Sequence, residues 1–380
     1  MHLNNVPQRI LHIIGSMNKG GAESLLMNVY RNIDKRKWQF DFAVHTDKEG
    51  FFDKEITQLG GRLFHLPKPK MGNLLRYRRE LKSLIKREGT FFTIHSHVYQ
   101  FSGVVLEVAK KSGVYNCIAH SHSVMDGEGE SILRSSYRWV SRVMIRKNAT
   151  ALVGCSRQTS ESLYGSDCWA DKRVKVIHNA IEINSFLTGC IDKVNWRKKI
   201  GLNNDDFVVG HVGRFNRPKN HVFIIQIFEE LFKQYSNSHL ILVGDGPERA
   251  IVEREVKTKN LEKNVHFLGI RDNINEIMKG FDVFFLPSLY EGLPLVLIEA
   301  QAAGLPCIVS NTITKESDIG LEMVKFIPLD SPREIWVDEI IKSKKYDQPP
   351  TDRIEEALIS NAFDVVSCTN AFEELYARAR

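Results

Sequence analysis

"VVGHVGRFNRPKNHVFIIQIFEEL", residues 208–231, sets an apolar run, a glycine turn and a helix-spaced apolar run one after another. Strand, loop and helix in that order form the repeating unit of a parallel sheet covered by helices. The loop carries Arg214 and Lys219 just ahead of the helix. Cations at a helix N-terminus oppose its dipole, and an oxyanion held between them and the backbone amides removes the conflict. Arginine offers forked donors and lysine a mobile point charge, a pairing suited to a diphosphate. The competing reading is a solvated turn with two surface cations.

The same unit recurs in both directions. Upstream, "RILHIIG", "QFDFAVH", "RLFHLP", "TFFTIHSH", "YNCIAHSH", "ATALVGCS" and "VKVIHN" read as strands, with helical spacing between them. Downstream, "SHLILVGDG", "NVHFLGI", "FDVFFLPS" and "PCIVSN" continue the pattern after residue 207. A polar stretch separates the two sets. A chain of 380 residues exceeds the size at which single cores usually divide. The expected organisation is an α/β protein with a doubly wound, Rossmann-like domain over 1–180 and a linker over 181–204. A second such domain follows over 205–360, then a helical segment over 361–380 that packs back on the first domain. Sheets of this kind bind ligands in the loops at the carboxyl ends of their strands.

Other strand ends carry chemistry as well. In "IIGSMNKGGAESLLMNVY", Gly20 and Gly21 precede a helix and let a ligand approach the backbone. The loop matches neither a Walker motif, which needs a lysine where Gly21 stands, nor G-x-G-x-x-G. Gly244 and Gly269 end two further strands. In "SLYEGLPLVLIEA", residues 288–300, Glu291 lies in the loop, Pro294 is expected to begin a helix, and Glu299 interrupts an apolar helical run. A capping role explains one glutamate; a second inside an apolar run needs a partner, and carboxylates are acceptors suited to hydroxyls. Finally, His-Ser-His occurs at 95–97 and again at 120–122, both at strand ends. No carboxylate or cysteine sits beside them at ligand spacing and no Asp-x-Asp occurs anywhere, so metal-free chemistry is expected.

Bulk properties narrow the classes. No run of 18 apolar residues is present, so no spanning helix is expected, and the N-terminus lacks the layout of a signal peptide. Six cysteines without a C-x-x-C pair suit reduced thiols, which points to a cytoplasmic location. The formal charge of +6 fits an anionic substrate or membrane surface equally well. In "ILRSSYRWVSRVMIRKNA", residues 132–149, arginines recur every fourth residue with Trp139, Val140, Val143 and Met144 between them. That is the pattern of an interfacial amphipathic helix, though a solvated surface helix fits as well.

Together these loops resemble the retaining glycosyltransferases of family 4, which have the GT-B fold of two Rossmann-like domains facing a cleft. "GRFNRPK" and "EGLPLVLIEA" carry the resemblance most specifically, the latter matching the family's E-x7-E motif with Glu291 and Glu299. "IAHSHS" and "HSHVYQFSG" resemble the bacterial exopolysaccharide and capsule branch. The resemblance implies that Arg214 and Lys219 bind and stabilise the leaving diphosphate. It implies that Glu291 contacts the donor sugar, beside Gly292, Leu293 and Pro294, and that Glu299 holds the ribose hydroxyls. Gly20, Gly21 and Gly244 would approach the donor, and Gly269 and Ile270 would frame the nucleobase. Either His120 or His122 would reach the donor sugar, and His97 would lie toward the acceptor.

The implied reaction is metal-independent transfer of a sugar from a nucleotide-diphosphate sugar, UDP by default, with retention. The implied acceptor is a glycan or polyprenyl-linked glycan of a surface polysaccharide, with peripheral contact at the inner membrane face and no nucleic-acid partner. No cofactor is implied. Two rivals remain: a non-catalytic sugar-nucleotide-binding protein, and an NAD-dependent Rossmann oxidoreductase. The second lacks the glycine fingerprint and the acid about 20 residues beyond it.

Overall fold

The computed structural model describes residues 6–89, 91–124, 132–188 and 193–377. The chain forms two units, residues 1–180 with 365–380, and residues 181–364.

The first unit holds seven parallel strands: β1 (Gln8–Ile14), β2 (Trp38–Val44), β3 (Leu63–His65), β4 (Phe91–Ser96), β5 (Asn116–Ser121), β6 (Ala151–Gly154) and β7 (Val174–Val176). Their order is β3-β2-β1-β4-β5-β6-β7. Alternation along the strands sends Ile10, Ile14, Phe40 and Ile118 to one face and Leu11, Ile13, Ile94 and Leu152 to the other. Helices cover both faces, which is why β2 is buried along its whole length. On the first face the helix Gly21–Asn32 packs against the C-terminal helix Val365–Ala377. Phe372, Leu375 and Tyr376 of that helix are buried, each stabilising its attachment by roughly 1.5–3 kcal/mol.

The second unit holds six parallel strands: β8 (Phe207–Val212), β9 (Ser238–Val243), β10 (Val265–Gly269), β11 (Val283–Leu286), β12 (Cys307–Ser310) and β13 (Val324–Ile327). The order is β10-β9-β8-β11-β12-β13. In both sheets the winding direction reverses beside the first strand, between β1 and β4 and between β8 and β11. Ligands of doubly wound sheets gather at the carboxyl ends of the strands flanking that reversal.

Two expectations need correction. The 181–204 stretch is not a free linker. Its helix Ile183–Leu187 packs on the helices Leu295–Ala302 and Thr351–Ser360 within the second unit. Further on, Arg197 is 2% exposed, donates to the carbonyls of Gly280, Asn204 and Asp206 and pairs with Asp282 at 2.6 Å. Residues 189–192 of that stretch, with Cys190, and residues 378–380 at the C-terminus lie outside the described residues. The other correction is β13, which is missing from the sequence reading. It is a four-residue edge strand with Lys325 exposed, and such a strand carries little apolar signal.

Candidate functional site

In the second unit, the loops after β8 and β11 meet at the sheet's switch point. Gly213 continues β8 through its amide to the Val243 carbonyl, and Phe215 N–H donates to Asp245 O at 3.0 Å. Gly244 adopts φ +131°, and a Cβ there would collide with the Gly213 carbonyl oxygen. Gly246 meets the backbone of Phe215 in the same way. Packing of one loop backbone on another thus accounts for both glycines without any ligand. The β8 loop is tied to the β11 loop as well: Leu289 N–H donates to Pro218 O at 2.8 Å and Asn220 Nδ2 to Pro287 O at 3.1 Å. Asn220 caps the following helix His221–Gln234 with φ +57°, a left-handed conformation that asparagine tolerates.

These staples bring the predicted charges together. Lys219 Nζ lies 2.6 Å from Glu291 Oε1, each side chain being 15% exposed. Sequence reasoning gave these residues to different parts of a ligand; the structure pairs them directly. Ser288, which the sequence reading passed over, donates its hydroxyl to Glu291 at 2.8 Å, and its own carbonyl accepts from Ser310 and Thr312. Its position three residues before Glu291, on the exit of β11, was the available signal. Arg214 is exposed and, among the described residues, has no ion pair.

The helix Leu295–Ala302 begins one residue after the expected start, with Pro294 in the capping position. Gly292, Leu293 and Pro294 are buried, whereas Ile270 is 66% exposed beyond Gly269, which adopts φ +69°. Glu299 sits on the second turn of that helix. Burial raises its pKa from 4.5 to about 7, and Lys219 opposes the shift. For an acid, a raised folded pKa means that stability declines as pH climbs from the ordinary value through the folded one. Glu299→Gln is therefore expected to flatten the decline in melting temperature between about pH 5 and 8. If the carboxylate accepts ligand hydroxyls, nucleotide affinity in the unaltered protein rises over the same window, and the Gln variant loses that rise. A binding isotherm series across pH reads both.

Beneath this loop, His211 and His221 are buried. His211 Nδ1 meets Phe285 O at 2.8 Å, and the His221 ring stacks on Phe215 at 4.1 Å. Burial holds both below the usual histidine range, so they support the loop as neutral rings.

In the first unit, Gly21 opens the helix Gly21–Asn32, and a Cβ there would meet nothing within 4 Å. At Gly20 a Cβ would meet only the flexible Glu23 side chain. No backbone packs against either position closely enough to demand a glycine. The two His-Ser-His tripeptides lie on the adjacent strands β4 and β5, joined by His12 from β1. His95 and His120 are fully buried within their strands, whereas His97 and His122 stand just past the strand ends and are partly accessible. Of the two candidates for the donor sugar, His122 is thus the more accessible.

On the helix Ile132–Asn148, Trp139 is 66% exposed and Val140 and Val143 are each 46% exposed. The arginine stripe is partly consumed within the fold, since Arg146 pairs with Asp167 at 2.7 Å and donates to Tyr164 O. Among the described residues no helix is long and apolar enough to cross a membrane.

Comparison with known proteins follows the same lines. The family described as "Glycosyltransferase Family 4" matches residues 19–185, and that described as "Glycosyl transferases group 1" matches residues 192–319. A Bacillus subtilis protein named as a glycosyltransferase, EpsF, is 36% identical over 374 residues, covering 98% of this chain and 97% of its own. The capsular polysaccharide biosynthesis glycosyltransferase CapH of Staphylococcus aureus is 26% identical, covering 97% of this chain and 98% of its own. An Escherichia coli UDP-Gal:alpha-D-GlcNAc-diphosphoundecaprenol alpha-1,3-galactosyltransferase is 32% identical over 240 residues, 61% of this chain and 60% of its own. Among solved structures, Anabaena HepE in complex with UDP superimposes with a TM-score of 0.77 at 20% identity, covering 97% of this chain and 100% of that one.

Proposed function

This chain belongs to the family 4 glycosyltransferases, in their exopolysaccharide and capsule branch with the GT-B fold, and from that premise we propose that it moves a hexosyl group from a UDP-sugar to a lipid-linked glycan with retention. The observation that carries the donor assignment is the Lys219–Glu291 pair at the β8/β11 switch point, with exposed Arg214 on the same loop as Lys219 and Glu299 nearby. Cations and helix amides there suit the diphosphate, and carboxylates suit the sugar and ribose hydroxyls. UDP and a diphosphate-lipid acceptor are supported by what the names of HepE and the Escherichia coli relative state of those proteins.

In the proposed reaction the bond from the anomeric carbon to the diphosphate oxygen breaks while the acceptor oxygen bonds to the same face. The acceptor proton passes to the departing diphosphate. Negative charge grows on that group in the transition state, so contacts from Arg214 and Lys219 strengthen as the bond breaks. Arg214 and Lys219 supply this charge, and we assign no metal to the diphosphate. In the first unit, Gly20, Gly21 and His122 are assigned to ligand contact and His97 to the acceptor.

The deciding experiment is calorimetry with UDP, GDP, ADP and their sugars, with NAD as control. Saturable binding of UDP or a UDP-sugar, weakened in Lys219→Ala for UDP more than for the UDP-sugar, is the expected result. Binding of NAD alone would return the protein to the oxidoreductase reading.

Acceptor delivery gives the exposed Trp139, Val140 and Val143 a use: they suit peripheral insertion at an anionic membrane, with the helix's cations at the headgroups. Cosedimentation with phosphatidylglycerol vesicles is expected, falling with salt and reduced several-fold in Trp139→Ser/Val143→Ser. Equal binding to phosphatidylcholine vesicles would remove the electrostatic part of this assignment.

A further inference from the structure

The core face of the first sheet carries more histidine than the ligand contacts assigned to His97 and His122 require. Where alternation sets Ile10, Ile14 and Ile118 on this face, His12, His95 and His120 occupy positions of the same parity. His97 and His122 extend the series past the strand ends. Their ring nitrogens form two chains. His122 Nε2 lies 2.8 Å from His97 Nδ1, and His97 Nε2 lies 3.0 Å from His12 Nδ1. His120 Nδ1 lies 3.2 Å from His95 Nε2, and His95 Nδ1 lies 3.1 Å from the Tyr376 hydroxyl. Both chains leave nitrogens with nothing to bond: His120 Nε2 and His122 Nδ1 at the outer end and His12 Nε2 inside are buried without a hydrogen-bond partner. Stranding such polar atoms costs about 1–3 kcal/mol each. A sheet face built only for packing would carry aliphatic residues here.

We propose that His97, His120 and His122 bind one divalent transition-metal ion, with His12, His95 and Tyr376 as the outer partners that orient them. One ring nitrogen from each of the three lies within 4.8 Å of the others. Tetrahedral zinc at about 2.0–2.1 Å from each nitrogen would set them roughly 3.4 Å apart, a modest adjustment. His97 and His122 stand past the strand ends, where a ring turns without disturbing the sheet. That turn is needed, because the His120 and His122 rings now stack with centroids 4.1 Å apart.

The outer partners fit the requirement that a ligating histidine donate its second N–H elsewhere. With His97 bound through Nδ1, its Nε2–H donates to His12. With His120 bound through Nε2, its Nδ1–H donates to His95, which in turn bonds Tyr376. Both candidate metal groups on this face consist of histidine alone, which selects zinc, nickel, cobalt or copper over magnesium or calcium. Three ligands leave a fourth position for water. The sequence alone set metal aside at these tripeptides for want of a carboxylate or cysteine at ligand spacing; the outer partners come from β1 and from the last helix.

The test uses the full chain, stripped with EDTA and dialysed into metal-free buffer. Titration with zinc against a chromogenic chelator should show one ion per chain, and cobalt should give the visible bands of a tetrahedral nitrogen site. His97→Gln and His122→Gln should each weaken zinc by more than tenfold, and Tyr376→Phe by less. Circular dichroism of the metal-free variants shows that they are folded. Zinc binding unchanged in the His97→Gln/His122→Gln double variant, or cobalt spectra of octahedral solvent type in the unaltered chain, would overturn the proposal. So would equal occupancy by magnesium. None of these readouts involves a nucleotide sugar, so their failure leaves the transferase reading standing.

Discussion

Lys219→Ala is expected to lower kcat by about 10²–10³-fold, the cost of removing one preorganised charge from a developing anion. The loss should fall on kcat more than on KM, because the diphosphate gains charge only as the glycosidic bond breaks. The same change strands two carboxylates. Glu291 loses its partner at 2.6 Å, and Glu299 loses the cation that opposes its upward shift. We expect a stability loss of about 1–2 kcal/mol, below that of a fully buried pair because both side chains still reach solvent. Lys219→Ala/Glu291→Gln separates the two effects: it should recover melting temperature without recovering turnover. Near-normal turnover in Lys219→Ala would move the diphosphate away from this loop and with it the whole donor assignment. Recovery of both quantities in the double variant would make the pair structural only.

Gly244→Ala should destabilise the second unit by about 2–4 kcal/mol, combining a disfavoured φ with an overpacked contact. The contact is backbone on backbone, so no side chain can yield. The added methyl pushes on the Gly213 carbonyl, one residue before Arg214. UDP binding should therefore weaken together with stability, as read by urea unfolding and calorimetry. Gly21→Ala is the informative contrast, because a Cβ there meets nothing and stability should stay unchanged. Wild-type stability in Gly244→Ala would mean that the β8 and β9 loops do not pack as described.

What could be read in advance follows from the range over which each signal acts. Among the described residues, twelve of the thirteen strands stand out as apolar runs between helix-spaced segments, the inner ones because burial on both faces of a parallel sheet leaves little choice of residue. Arg214, Lys219, Glu291 and Glu299 were legible for a related reason. Arg214 and Lys219 are costly as cations at a helix start and Glu299 as an acid in an apolar run, and such a cost signals a partner; Glu291 stood out by its place in the loop at a strand end. The edge strand β13 was not legible, since one neighbour and an exposed Lys325 permit a polar sequence.

By itself, then, the sequence determined the order of strand, loop and helix, the two repeats of that order, and which residues would carry charge at the strand ends. Only the tertiary structure decided who meets whom. It joined Lys219 to Glu291, set Ser288 behind them, made Gly244 a packing requirement, and drew 181–204 into the second unit. It also gathered histidines from β1, β4 and β5 under the helix Val365–Ala377, with Tyr376 lying 281 residues from His95. Local periodicity reports which face a residue takes. Which strands lie side by side depends on the winding of the sheet, and no short window of sequence contains that.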